Sequence, residues 1–222
     1  MGYRLENKPV DLGGLRQLTY VPSQKAGDVY RFKNDAIRVF KDGEDVIDED
    51  TARYLTTIST DRVLLPRKLL FYNNAFKGYT MKLVSQKGAG KRIISTPKRE
   101  LIDAIEVVEE DIYALSQRNV LLSNTGVGHT LYNGELYLVD PSKYRILDLG
   151  DSENLEKLNQ YHLHLLLSEL ITTELRKNSF PSSSINHMRE IMDLKDNDQS
   201  TSDYLSDLID GQKDIKQFVK KL

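Results

Sequence analysis

The chain has no cysteine and no tryptophan among its 222 residues, and only 6 prolines. Without cysteine there are no disulfides and no thiolate metal centres, so packing alone must hold the fold. A reducing, cytoplasmic setting is the expectation. No apolar run approaches the ~20 residues of a membrane span. The start "MGYRLENKPVDLGG" carries no apolar leader, and Glu6 stands where a myristoylation signal wants Ser or Thr. No targeting signal and no membrane association are expected. A dominant charge is missing too: 31 basic against 33 acidic residues leave a net charge of −2, which gives no global attraction for nucleic acid.

What is present is locally uneven. "SQKGAGKRIISTPKR" holds Lys87, Lys91, Arg92, Lys98 and Arg99 with no acid among them. With Gly88 and Gly90 inside it, the run reads as a solvated connector before it reads as a phosphate-facing patch. No aromatic residue interleaves its cations, which argues against nucleic acid as a partner. The acidic run "DLKDNDQSTSDYLSDLIDGQKD" places Tyr204, Leu205, Leu208 and Ile209 at helical spacing. It is read as a short amphipathic helix with a solvated acidic face.

Strands are expected in the first third and helices beyond it. "GDVYRF", "DAIRVFKDG" and "GYTMKLV" are short β-branched and aromatic runs bounded by Gly, Asn or Asp, as antiparallel strands should be. "DEDTARYLTTI" is a short helix with acids in its first turn. Pro97 opens a long helix whose stripe runs Leu101, Ile102, Ile105, Val108, Ile112 and Leu115 and ends near Asn119. Asn133-Gly134, between "TLY" and "ELYLV", predicts a hairpin with a type I′ turn. "NLEKLNQYHLHLLLSELITTEL" is apolar on most of its circumference and is expected to be buried, and "SFPSSS" is expected to be a loop. His162 and His164, two apart on that helix, point to different faces and make no metal pair. His187 carries no signal.

This order of parts resembles that of protein kinases, from about Gly13 to about Leu175. Small bacterial kinase-like proteins are the nearest in character. "GDVYRF" with "AIRVFK" looks like the family's second and third strands. "GYTMKLV" looks like the strand entering the hinge, and "LSQRNVLLSNTGVGHTLYNGELYLVD" like the catalytic loop with the metal-binding aspartate. The resemblance implies an α+β, two-lobed fold, with residues 1–84 as a small β-rich lobe and 85–222 as a helical lobe. It places Met81 and Val84 beside the nucleotide base.

The resemblance also exposes what is missing. The family's third-strand lysine, which grips the α- and β-phosphates, falls on Arg38, a planar fork rather than a compact ammonium. For the acid that pairs with that lysine, Glu49 and Asp50 are both candidates. The glycine-rich loop keeps only Gly27, its two earlier positions falling on Pro22 and Gln24. Lys25 and Lys33 are second candidates for a cation near the phosphates. The catalytic base position is Asn124, whose amide takes no proton at neutral pH. The metal-binding asparagine position is His129, and imidazole is a poor partner for Mg²⁺. Leu122 replaces the histidine that precedes the base by two. Asp140, before Pro141, keeps the position of the family's metal-binding aspartate.

Against these stand plainer readings: Asn124 as a turn residue, His129 as a hydrogen-bonded side chain, Asp140 as a strand end. The leading expectation is a pseudokinase, a nucleotide-pocket scaffold acting through a protein partner, with ATP and Mg²⁺ or Mn²⁺ bound weakly or not at all. The alternative is an atypical ATP-dependent transferase that uses Asp140 as metal ligand, since phosphoryl transfer depends mostly on positioning and charge. A third is an interaction module whose Lys87 to Arg99 segment meets RNA or an acidic protein.

Overall fold

The computed structural model describes residues 2–18, 28–41, 46–84, 91–123, 130–139, 141–148, 152–196 and 198–222. A hairpin of β1 (Tyr3–Leu5) and β2 (Lys8–Val10) is followed by β3 (Asp28–Phe32), β4 (Asp35–Val39), helix α1 (Glu49–Leu55), β5 (Lys68–Tyr72) and β6 (Ala75–Lys82). These six strands form one antiparallel sheet in the order β2-β1-β5-β6-β4-β3. Gln17 adds a single antiparallel bridge to Tyr30 outside β3. The chain then becomes helical: α2 (Lys98–Ser116), α3 (Ser152–Lys177), α4 (Ser182–Met192), α5 (Thr201–Leu208) and α6 (Ile215–Val219). Two small ladders lie between α2 and α3. One pairs β7 (Val120–Leu121) with β10 (Arg145–Ile146), and the other pairs β8 (Thr130–Tyr132) with β9 (Leu136–Leu138). No helix of the described residues is long and apolar enough to cross a membrane.

The period of two in β4 puts Ala36, Arg38 and Phe40 on one face of the sheet and Ile37 and Val39 on the other, and all five are buried. On one face Val29, Ala36, Phe40, Leu69, Tyr79 and Met81 join a core that continues through α1 into α2 and α3. On the other, Ile37, Val39, Leu5 and Leu70 form a second cluster, covered by Leu12, Leu15, Tyr30 and Phe32. The segment after β2, through Leu12 and Leu15, therefore roofs this face of the sheet.

Local chemistry sets the element ends. Asp48 caps α1 by accepting from the Thr51 N–H at 2.6 Å, with Glu49 and Asp50 in the first turn. Asp214 caps α6 through the Gln217 N–H at 2.8 Å. The β5–β6 turn is Asn73-Asn74, both at positive φ, as a two-residue I′ turn requires. At β8–β9 the hairpin is present but the I′ turn is not. Tyr132 pairs with Leu136, so three residues make the loop and only Gly134 has positive φ (101°). The Asn133 side chain takes up the slack by accepting from the Glu135 N–H at 3.1 Å. "SFPSSS" is a loop only in part: Pro181 stands at the N-cap of α4, and its serines 182–184 are the first helical turn. The acidic run does form an amphipathic helix, α5, with Leu205 and Ile209 fully buried and Tyr204 and Leu208 packed on the core.

One buried carboxylate joins the sheet half to the helical half. Asp111 on α2 accepts the backbone N–H groups of Asp61, Arg62 and Val63 at 2.6–3.0 Å. The same stretch then runs parallel beside β9, with Leu64 N–H on Leu138 O (2.7 Å) and Leu138 N–H on Arg62 O (3.0 Å). Arg62 closes the joint: it donates to Tyr137 Oη (3.0 Å) and Glu135 (2.6 Å), with its guanidinium 4.9 Å from the Tyr137 ring centre. Desolvation and the Glu135 hydrogen bond push the Tyr137 hydroxyl up to about 12, so it stays protonated as a donor.

Asp111→Ala strands three peptide N–H groups with no acceptor, and should lower the unfolding free energy by about 3 kcal/mol in urea titration. Asp103→Asn, on the exposed side of the same helix, should stay within about 0.5 kcal/mol of the parent. Equal effects from the two would refute the anchoring role.

Candidate nucleotide cleft

Residues directly opposite in an antiparallel pair share a face, and the register of β3, β4 and β6 therefore sets which side chains stand together on the sheet's inner face, the wall of the candidate cleft. Ala36 lies opposite Met81, and Arg38 lies between Val29 on one side and Tyr79 on the other. Val29, Ala36 and Met81 thus form an apolar strip, none of them more than 8% exposed. Val84, two residues beyond β6, is half-buried against the same core.

Arg38 is only 3% exposed, although it carries a full charge. Its Nη1 donates to Tyr79 Oη at 3.3 Å, and the guanidinium carbon lies 5.6 Å from the Phe40 ring centre. Phe40 in turn meets Tyr79 and Phe76 edge-on, at 5.6 and 5.3 Å. The ring and the phenol offset part of the cost of burying this charge, and a planar guanidinium suits both contacts better than a compact ammonium. Gly78 permits this arrangement: a Cβ there would stand 1.9 Å from Arg38 O. Lys33 does not contribute to the wall. It occupies the β3–β4 turn with its Nζ 5.7 Å over Phe32, which belongs to the outer cluster under the N-terminal roof.

Gly27, Asn124, His129 and Asp140 lie outside the described residues, as do Pro22, Gln24, Lys25 and Lys87. Their flanks are described. Ser123 Oγ donates to Lys143 O, and Leu147 N–H donates to Asn119 O at 2.8 Å beside the β7–β10 ladder. The chain entering residues 124–129 and the chain leaving residue 140 are therefore tied together. Among the described residues no group of His, Cys, Asp and Glu is arranged to hold a metal ion.

The support beneath that junction comes from α3. Asn159 is fully buried; its Oδ1 accepts from the Leu122 N–H at 2.8 Å, and its Nδ2 donates to Ser116 Oγ and Val120 O, both at 2.9 Å. His162 Nδ1 meets Leu122 O, so both backbone groups of Leu122 are held by one helix. Leu122 itself is fully buried, a core side chain where the kinase resemblance has a histidine. Sequence reasoning missed Asp111 and Asn159, yet each carried a signal: a polar residue at an apolar-stripe position, Asp111 between Val108 and Leu115, Asn159 between Leu155 and Leu163. His162 was expected only to pack or face solvent, and instead fixes the loop backbone.

No known family profile matches the chain, and no curated protein sequence does. Among solved structures it is similar to the Cydia pomonella granulovirus kinase PK-1, at 12% sequence identity and a TM-score of 0.54. The match covers 88% of this chain and 94% of that one. The fold is a two-lobed, protein-kinase-like fold, with a curled antiparallel sheet as the N-lobe and helices in the second.

Replacing Asn159 by Leu keeps the volume but removes three hydrogen bonds, two of them to backbone groups. Stability should fall by about 2–3 kcal/mol, and the Leu122 amide should lose hydrogen-exchange protection beyond the change in global stability. An unchanged Leu122 amide would show that the helix does not hold the loop.

Proposed function

We propose that this protein is a pseudokinase-type scaffold: a kinase-like nucleotide pocket with little or no phosphoryl transfer, acting through a protein partner. The observation that supports it is Arg38. On a kinase-like fold, the cation at the phosphate-gripping position is enclosed by Tyr79 and Phe40, so its fork is committed to the sheet before any ligand arrives. Asn124, which takes no proton, and His129, an ill-suited Mg²⁺ ligand, add to this reading from the sequence. We place the lobe division at 84/85 and the partner-binding role in the cytoplasm on the same basis.

The apolar strip fits the flat, weakly polar base of a nucleotide: Val29, Ala36 and Met81 would pack on it, with Val84 beyond. At the phosphate end Arg38 would supply charge, and Gly27 a single flexible position. Asp140 would supply one carboxylate to a divalent ion, with His129 as a poor second ligand. Such an ion neutralises phosphate charge when bound. One protein oxygen leaves most of its coordination to the phosphates and water, so binding should be weak and metal-dependent. The second reading, an ATP-dependent transferase built on Asp140, is favoured by the intact apolar strip.

Thermal unfolding with ATP, GTP and ADP, each with and without Mg²⁺ or Mn²⁺, separates the two. The expected stabilisation by millimolar ATP and metal is below about 1.5 kcal/mol, the effect of ligand at ~10 Kd. It should shrink in Arg38→Ala and in Asp140→Ala. Transfer of labelled phosphate to itself or to generic acceptor proteins should stay near background. Robust transfer that vanishes in Asp140→Ala would replace the scaffold with the transferase.

A further inference from the structure

Far from the cleft, α3, α4 and α5 meet around a histidine that the proposed function does not use. His164 on α3 is 4% exposed, and its Nε2 lies 2.6 Å from Met192 O in the last turn of α4. A carbonyl oxygen only accepts, so Nε2 carries a hydrogen. The Tyr204 ring from α5 stands edge-on at 5.6 Å, and its hydroxyl donates to Ile191 O. Side chains from α3 and α5 thus reach two adjacent carbonyls at the end of α4, which also accept the Leu194 and Lys195 N–H groups at 3.0 and 3.4 Å. The other ring nitrogen, Nδ1, is buried and has no hydrogen-bond partner among the described residues.

We propose that this junction is an acid-sensitive latch: when His164 takes up a proton, residues 193–196 and α5 come away from α3 while the rest of the helical lobe stays folded. The second proton must go on Nδ1, which faces no acceptor, so the folded junction would hold an uncompensated buried cation. The charged groups around it do not remedy this. Asp193, at the end of α4, favours the charged ring, whereas Lys195 in the turn disfavours it, and Tyr204 offers only its ring edge. On the α2 side Glu109 is already engaged, accepting from the Thr201 and Ser202 N–H groups at 2.7 and 3.2 Å and from Ser202 Oγ.

Burial is the largest influence on His164 and holds it below its ordinary 6.5, with Lys195 adding to the effect and the Met192 contact and Asp193 opposing it. A base depressed in the fold contributes stability that is complete above 6.5 and is lost as pH falls through its folded value. Glu109 acts in the opposite sense. Burial raises it above 4.5, so its contribution is present below 4.5 and lost as pH rises through its folded value. Acidification just below 6.5 therefore works on the latch through His164. Opening would uncover Leu205, Ile209, Met188 and Met192, all fully buried, beside Leu194, which is already 78% exposed.

Hydrogen exchange at pH 7.5 and 5.5, corrected for intrinsic rates, tests this on the whole chain. Protection in residues 193–209 should fall at least tenfold at pH 5.5, while residues 101–115 of α2 change little. In His164→Gln, which keeps a donor for Met192 O but does not titrate here, the pH-dependent difference should disappear. The proposal is overturned by no local loss in the parent, by equal loss across the molecule, or by the same loss in His164→Gln. Should that variant fail to fold at pH 7.5, NMR titration of the His164 ring in the parent decides: a midpoint at or above 6.5 ends the proposal, and one below it upholds it.

Discussion

Three peptide N–H groups converging on the Asp111 carboxylate determine how the two halves of this molecule meet. The chain between α1 and β5 has no helix or strand of its own to satisfy its donors, and it becomes buried from Val63 to Pro66. A single carboxylate with two oxygens and several lone pairs can accept all three at once, which no neutral side chain can do. Once that stretch is fixed on α2, Leu138 accepts from the Leu64 N–H and donates to Arg62 O, Arg62 reaches Tyr137, and the sheet's inner face lies over the helices. The register of β4 and β6 then decides which side chains face the cleft.

α3 serves as the second organiser by a different means. Three polar side chains on its buried side reach backbone of other elements. Asn159 and His162 hold the chain at Leu122, and His164 holds the end of α4. Because one rigid helix supports both the cleft floor and the α4 terminus, the two regions share a frame although they share no residue.

Much of the fold was legible from pattern alone. β3, β4 and β6, the long stripe of α2 and the amphipathic α5 follow from apolar spacing, the strongest signal a single sequence carries, and so does α3, although Leu158, Tyr161 and Leu165 leave one of its faces exposed rather than buried. The β1–β2 and β5 strands were not legible, because "YRL", "KPV" and "KLLFY" are too short to show a period. α4 was hidden by serines that look like loop residues but fill a first helical turn. At the candidate site, Arg38 and Met81 were found through the family resemblance, whereas Asp111 and Asn159 were not. Their role is long-range: Asp111 meets residues 48 to 50 positions away, and Asn159 one 37 away, so nothing local marks them except polarity in an apolar stripe. The type I′ expectation at Asn133-Gly134 failed for a tertiary reason as well. Lys91 lies so close over Gly134 that a Cβ there would meet its Cδ at 2.7 Å, so the packing of a neighbouring segment shapes this loop.

The hairpin that opens the chain bears on how copies of this protein behave toward one another. Its second strand, β2, is the outermost of the sheet and offers an unpaired row of backbone groups on that side. In a longer strand such a row would template the addition of another chain, the first step toward ordered aggregates. Here the strand is three residues long, its centre is Pro9, which has no N–H to offer, and Lys8 adds a positive charge. The sheet therefore ends on a strand that discourages its own extension, which should keep the protein dispersed at concentrations where a longer apolar edge would drive it to associate.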